Sequence, residues 1–225
     1  SGSFNSSRSF YTDSHYFFAA ALAELGFIVL LLDSRGTPLR SKAFHDESYG
    51  WAASAANTDD HAEVIQQLAA RYSYMDLDRV GIYGFAYRGG IQNFLERQDL
   101  YKVGVMANIM YGPLIGCSVI GDIWEGCEGP KDKRYPEDLA DNLQGKLLLM
   151  HPVNGFNSPL YPPAGPLRIL DALQKADKDF DMLMLPGSDA SYGPYATRRI
   201  WNYFIEHLAQ ETPPSDVKIE VSMVF

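Results

Sequence analysis

The chain reads Gly84-Phe85-Ala86-Tyr87-Arg88-Gly89-Gly90 directly after the apolar run 80–83. The apolar run predicts a buried strand, and residues 89–97 that follow have the spacing of a helix. Glycines at both ends of the segment allow a strand and a helix to approach closely, because neither carries a Cβ atom. The sequence therefore predicts a strand, a sharp turn and a helix around Ala86.

This arrangement is the frame of a nucleophile elbow, in which an α/β-hydrolase raises a serine above the edge of its sheet. The central position of the frame holds Ala86, which has no hydroxyl to attack a carbonyl group. The frame favours a hydrolase fold, and its centre argues against hydrolysis by that residue.

The rest of the chain alternates apolar runs with stretches of helical spacing. Strands are predicted at 27–32, 80–83, 103–107, 146–151 and 181–185, and helices at 59–72, 89–97, 164–176 and from Pro194 to Leu208. Regular alternation predicts an α/β fold with a mainly parallel sheet and helices on both faces. Residues 111–144 are rich in Gly, Pro and charge, and we interpret them as an insertion over the sheet edge. A single domain over 1–225 is predicted.

Composition excludes several kinds of partner. The net charge of −9 over 225 residues disfavours nucleic acid and anionic membranes. The longest apolar stretch, 17–32, is too short to span a membrane and contains Glu24 and Gly26. No spacing of His, Asp and Glu suggests a metal site, and no loop has the form of a phosphate cradle. Cys117 and Cys127 could be bonded or free, so the compartment is left open.

Several segments together resemble a known family. Residues 33–38, 69–72 and 76–84 look like the peptidase domain of the prolyl oligopeptidase family, and especially its dipeptidyl-peptidase IV-like branch. The similarity continues through 146–151, 170–173 and 198–204. It implies an α/β-hydrolase fold and peptide hydrolysis by a Ser-Asp-His triad. It is also compatible with 1–225 being the C-terminal part of a larger chain with an N-terminal β-propeller.

The resemblance places all three triad positions on other residues. The serine position is Ala86, the aspartate position falls at or next to Gly155, and the histidine position falls on Ala190. Three separate losses favour natural decay of the site over an engineered inactivation. The backbone N–H of Tyr87 could still serve as one oxyanion donor.

Other residues are predicted to border the old cleft. Arg88 could bind a carboxylate in a fork geometry, or could instead pair with an acidic residue of a neighbouring loop. Ser188 and Ser191 flank the vacated histidine position and form either a ligand patch or a solvated loop. His151 is interpreted as a structural strand-end residue. The candidate ligand-binding residues of the cleft are Arg88, Tyr111, Asn154, Asp189 and Tyr192.

The sequence thus predicts a catalytically inactive peptidase-like domain that needs no cofactor and no metal. Its role would be to bind a peptide or small molecule in the old cleft, or to form a homodimer or join a partner domain. The resemblance alone implies a dimer surface at the aromatic side chains of Trp201, Tyr203 and Phe204, and core packing is the competing interpretation. The alternatives are a hydrolase of peptides or esters that uses non-family residues or needs a missing domain, and a purely structural remnant.

Overall fold

A computed structural model describes residues 14–37, 40–47, 58–110, 135–153, 164–186, 193–215 and 219. Backbone contacts divide the chain into two compact units. The first unit comprises Ser1–Leu77 with Gly116–Lys133, and the sheet unit comprises Asp78–Ile115 with Arg134–Phe225. Each unit is described by itself. The prediction of a single domain over 1–225 stays a prediction.

The first unit begins with helix α1, Ser14–Glu24. Gly26 follows it with φ of 91°, a left-handed conformation that suits glycine. The N–H of Gly26 donates to the carbonyl of Ala23 at 2.9 Å, and the N–H of Phe27 donates to that of Leu22 at 3.3 Å. These bonds satisfy the last carbonyls of the helix, so Gly26 caps α1.

The strand predicted at 27–32 is wrong for the described structure. These residues form no strand there, and the side chains of Ile28 and Leu31 are 52% and 40% exposed. An apolar run predicts that a segment prefers burial, but a strand also needs a neighbouring strand to bond with its backbone. The run has the composition of a strand, but composition does not indicate whether a neighbouring strand is present.

Two further helices complete the first unit. Helix α2, Lys42–Asp46, was not predicted, and its N-cap Ser41 accepts a hydrogen bond from the N–H of Phe44 at 3.2 Å. Helix α3, Thr58–Arg71, confirms the helix predicted at 59–72. Acidic residues in its first turn and Arg71 in its last turn complement the helix dipole.

The sheet unit contains four parallel strands in the order β1-β2-β3-β4. Each of the four strands includes a predicted strand. The helices predicted after the first strand, after the third strand and at the end of the chain are also present. In chain order the elements are β1 Val80–Tyr87, α4 Arg88–Glu96, β2 Tyr101–Met110, a 3₁₀ helix Pro136–Asn142, β3 Lys146–Pro152, α5 Ala164–Lys175, β4 Asp181–Leu185, α6 Pro194–Phe204 and a π-helix Ile205–Ala209.

Helices cover both faces of the sheet, as predicted. A Cβ atom on Gly104 of β2 would lie 2.9 Å from the ring of Phe94 in α4. A Cβ atom on Gly81 of β1 would lie 2.9 Å from the ring of Phe204 in α6. Gly81 pairs with Val103, the residue before Gly104, so the two glycines face opposite sides of the sheet. Helix α4 therefore packs on one face and α6 on the other.

The aromatic residues of α6 belong largely to the core. Tyr203 and Phe204 are buried, and the hydroxyl of Tyr203 donates to a carboxylate oxygen of Asp181 at 3.0 Å. Burial, together with the Asp181 charge, raises the pKa of Tyr203. Of the two interpretations of this aromatic face, core packing is the one that these contacts support.

A buried glutamine joins α4 to the start of β3. The side-chain oxygen of Gln98 accepts from the N–H groups of Gln144 and Gly145, both at 2.8 Å, and its amide donates to the carbonyl of Phe94 at 2.6 Å. The 3₁₀ helix just before this turn lies within the predicted insertion, 111–144, of which residues 111–134 are outside the described residues. Pro136 and the Asp138 carboxylate, which accepts from the N–H of Tyr135 at 2.8 Å, explain this helical start.

Candidate functional site

The carboxyl ends of the four strands define one edge of the sheet. Because all pairings are parallel, β1, β2, β3 and β4 end at this edge with Tyr87, Met110, Pro152 and Leu185. The N–H of Val153 donates to the carbonyl of Leu185 at 3.1 Å and joins the ends of β3 and β4. Ligands of open α/β sheets bind outside this edge, so it is the candidate site of the fold.

The turn from β1 into α4 is built on close approach of two glycines. A Cβ atom on Gly90 would lie 2.9 Å from the Cα atom of Gly84, and one on Gly84 would lie 2.7 Å from the sulfur of Met106. Real Cβ atoms do not occupy such positions without displacing their neighbours. The predicted role of the glycines at both ends of the segment is confirmed.

Ala86 lies at an irregularity of the sheet. Phe85 pairs with Ala107, whereas Tyr87 pairs with Met110, so two residues of β2 stand opposite Ala86. One of them, Asn108, is 1% exposed and has a left-handed φ of 53°. Asparagine tolerates this conformation better than most residues, and such conformations often occur at functional sites. Asn108 was not among the predicted site residues, since its one signal in the sequence is an amide within an apolar run.

His151 lies within β3 and is 1% exposed. It pairs with Met184 of β4 in the parallel register. This burial favours the structural interpretation of His151 over a role in direct contact with a ligand.

The structure describes only some of the remaining predicted site residues. Tyr87 ends β1 and Arg88 begins α4, so the backbone brings both to the carboxyl edge with Ala86. The positions that lie outside the described residues are Tyr111, Cys117, Cys127, Asn154, Gly155, Ser188, Asp189, Ala190, Ser191 and Tyr192. Their roles in a cleft, including the two further triad positions, stay predictions.

The described ranges contain no cluster of three or more His, Cys, Asp or Glu side chains suited to a metal ion. No helix among them has both the length and the apolar character to cross a membrane.

A groove of about 640 Å³ lies in the first unit, between the end of α3 and residues 73–77, and none of the predicted site residues lines it.

The first unit contains a serine–histidine contact that sequence analysis missed. The hydroxyl oxygen of Ser34 lies 3.2 Å from Nε2 of His61, and Ser34 is 9% exposed. Burial lowers the pKa of His61, which favours the neutral imidazole. The two residues are far apart in the sequence, so only the folded chain reveals the pair.

An ion pair lies next to this contact. Nε of Arg35 donates to both carboxylate oxygens of Asp60 at 3.0 Å, and Nη2 lies 2.8 Å from Oδ1. The backbone N–H of Arg35 also donates to Asp60 at 3.2 Å. Burial opposes the charge of Asp60, but the hydrogen bonds and charge of Arg35 outweigh it and lower the pKa of Asp60.

Comparison with known proteins gives a family match over most of the chain. The model of the prolyl oligopeptidase family matches residues 13–211. Human dipeptidyl peptidase 8 is 36% identical over 92 residues, which are 40% of this chain and 10% of the relative, and the mouse protein is 35% identical over the same length. The chain thus spans about a tenth of the length of the curated relatives it matches.

Solved structures share the fold. Dipeptidyl peptidase 4 of Porphyromonas gingivalis matches 78% of this chain and 26% of its own, with a TM-score of 0.67 and 19% identity. Acylaminoacyl peptidase of Pyrococcus horikoshii matches 81% of this chain and 32% of its own, with a TM-score of 0.65 and 18% identity. The predicted α/β-hydrolase fold is confirmed, and the match to dipeptidyl peptidase 8 supports the dipeptidyl-peptidase IV-like branch.

Proposed function

Because the chain belongs to the prolyl oligopeptidase family, we propose that it is a member without the family's peptidase activity. In this proposal the old cleft at the carboxyl edge of the sheet binds a peptide or small molecule, and the domain serves as a binding or oligomerisation module. No cofactor and no metal take part.

The position of Ala86 carries the proposal. Ala86 is the last residue but one of β1, and α4 begins two residues later at Arg88. In the elbow frame this position supplies the attacking hydroxyl, and a methyl group cannot form a covalent acyl intermediate. The substitutions inferred at Gly155 and Ala190 would remove the base and the group that orients it.

The same edge supports the binding role. Tyr87 and Arg88 follow Ala86 directly, where β1 meets the N-terminus of α4. The backbone N–H of Tyr87 and the guanidinium that Arg88 carries are groups that a carboxylate or a peptide carbonyl could bind. Tyr111, Asn154, Asp189 and Tyr192 would complete the ligand site, and the tyrosine rings would suit a proline-like group.

The contacts of the described residues give less support to oligomerisation. Tyr203 and Phe204 are buried within the sheet unit, so a homodimer or partner domain would use other surfaces. Sedimentation at several protein concentrations tests for an interface. A homodimer predicts a sedimentation coefficient that rises with concentration, whereas a ligand-binding role alone does not predict such a change.

Restoring one residue tests the inactive site. Ala86→Ser replaces the missing hydroxyl, but a serine without a neighbouring base stays a weak nucleophile. We therefore expect no turnover of Xaa-Pro aminocoumarin peptides above that of the unmodified chain. Appreciable hydrolysis by Ala86→Ser alone would show that a base is still present and that the triad has been misassigned.

Binding is tested by thermal unfolding with a panel of dipeptides and tripeptides. A ligand at 100 times its Kd stabilises the folded state by about 2.7 kcal/mol, which is several degrees in Tm. We expect peptides with an apolar or proline residue to raise Tm, and Arg88→Ala to weaken the shift for those with a free carboxylate. A flat response over the whole panel would favour a structural remnant.

A hydrolase that uses non-family residues is the second candidate. The observation that favours it is the contact between Ser34 and His61, because a serine beside a neutral histidine is the core of a nucleophilic site.

A further inference from the structure

We infer that Ser34 is a nucleophile activated by His61, and that the pair accepts acyl groups from small esters with good leaving groups. This inference concerns the first unit and does not rest on the fate of the elbow in the sheet unit. The old cleft can be inactive toward peptides while Ser34 reacts, so the two proposals fail independently.

The geometry meets the first requirement of such a pair. A base must lie within hydrogen-bond reach of the hydroxyl it deprotonates, about 2.6 to 3.2 Å between heavy atoms. The distance from Oγ of Ser34 to Nε2 of His61 is 3.2 Å. In the tautomer protonated at Nδ1, Nε2 accepts the hydroxyl hydrogen.

A neighbouring contact holds the two side chains together. Arg35, the residue after Ser34, binds Asp60, the residue before His61, through its backbone N–H and its guanidinium. The turn that carries Ser34 is closed by a hydrogen bond from the N–H of Thr37 to the carbonyl of Ser34 at 3.2 Å. Asp60 is therefore a positioning residue, which fixes the register between the turn and α3.

Electrostatics supply the correct protonation state. Burial lowers the pKa of His61, so the imidazole is neutral near pH 7 and can accept a proton. The charge of Asp60 opposes this shift, but Arg35 pairs with that carboxylate. Ser34 itself keeps 9% of its surface exposed.

The reaction balances without any further reagent. The oxygen of Ser34 bonds to the ester carbonyl carbon while its proton moves to Nε2 of His61. The bond from carbon to the leaving oxygen then breaks, and the leaving group takes that proton from His61. Water next attacks the acyl carbon and gives a proton to His61, the bond to Ser34 breaks, and the serine oxygen recovers the proton.

The test is labelling of the full chain with diisopropyl fluorophosphate, followed by peptide mass spectrometry. Phosphorus bonds to the Ser34 oxygen, fluoride leaves, and His61 takes the proton. We expect one adduct, at Ser34, with a rate that rises with pH as His61 loses its proton. Release of p-nitrophenol from p-nitrophenyl acetate should follow the same pH profile.

Variants separate a nucleophile from a structural hydrogen bond. Ser34→Ala should abolish the adduct, and His61→Gln should slow labelling of the intact Ser34 by about 100-fold or more. Ser73→Ala removes an exposed serine of the same unit and should leave the rate unchanged. Circular dichroism establishes that each variant is folded.

Two results would overturn the inference. An adduct elsewhere or none on the folded chain would show that Ser34 is unreactive. Labelling of Ser34 as fast in folded His61→Gln as in the parent would show that the contact is structural only.

Discussion

The two units of the chain differ in the features that resemble parts of a hydrolytic site. The sheet unit has the close turn at Gly84 and Gly90, in which strand and helix meet too closely for a side chain, and Ala86 holds the position that we propose for the missing hydroxyl. The first unit has a serine beside a histidine whose pKa is lowered by burial, without an elbow around them. The difference indicates that packing preserves the turn between a strand and a helix, whereas hydrolytic chemistry depends on a few side chains.

The two units also differ in what stabilises them. In the sheet unit, β2 and β3 are almost wholly buried and close glycine contacts fix the helices on the sheet. In the first unit, the contacts around Ser34 and His61 are polar, and Ile28 and Leu31 remain partly exposed. We therefore expect the largest losses of stability from changes in the sheet unit.

The largest expected effect comes from Gln98→Leu. This change leaves the N–H groups of Gln144 and Gly145 and the carbonyl of Phe94 without their partner, and each buried unsatisfied group costs about 1 to 3 kcal/mol. The free energy of unfolding in urea should fall by about 3 kcal/mol. Gln67→Leu, on the exposed face of α3, should change it by less than about 0.5 kcal/mol. Equal effects would contradict the contrast between the units.

Alkaline pH should act mainly on the sheet unit. Burial raises the pKa of Tyr101 to about 12, so above pH 10 the unfolded chain loses this proton while the folded chain keeps it. Stability should therefore fall between pH 10 and pH 12, by about 2 to 3 kcal/mol at the end of that window. Tyr101→Phe should flatten the profile in part, since the raised pKa of Tyr203 acts in the same direction. An unchanged profile would contradict the burial of this hydroxyl.

A smaller loss is expected from Gly90→Ala. The added Cβ atom would meet backbone at 2.9 Å, and overpacking costs about 1 to 3 kcal/mol. The higher helix propensity of alanine offsets at most about 1 kcal/mol of this loss. The net result should be a loss of about 1 to 2 kcal/mol in urea unfolding. Gly193→Ser, at an open N-cap with nothing within 4 Å of its Cβ atom, should be neutral or stabilising. A stabilising Gly90→Ala would refute the close approach.

The smallest effect should appear at mildly acidic pH, in the first unit. Because burial lowers the pKa of His61, the unfolded chain binds a proton more readily than the folded one. Stability contributed by the neutral imidazole is present at neutral pH and is lost as pH falls through the ordinary histidine range. Hydrogen exchange of α3 measured at pH 7 and pH 5 should show this loss, and His61→Gln should remove it. The lowered pKa of Asp60 acts only at more acidic pH.

Sequence alone predicted most of the sheet unit, for physical reasons. The runs 103–107, 146–151 and 181–185 are bounded by turns, and a continuous apolar run covered on both faces has few structures other than a parallel strand. The same reasoning failed at 27–32, because composition does not indicate whether another strand is available to pair with the segment. It also missed α2, whose only signal is the Ser41 cap.

The candidate site was predictable only where local sequence encodes it. The glycines around Ala86 sit in one short segment, so the elbow frame could be recognised. The left-handed Asn108 and the contact between Ser34 and His61 depend on strand register and on residues distant in the sequence. No local pattern contains that information.

Our central proposal is that the chain lacks the family's peptidase activity. Its most direct test is hydrolysis of Xaa-Pro aminocoumarin peptides by the purified chain, beside an active family member under the same conditions. The account predicts release of aminocoumarin no faster than in buffer. Turnover that increases with the concentration of the chain and survives repeated purification would contradict it.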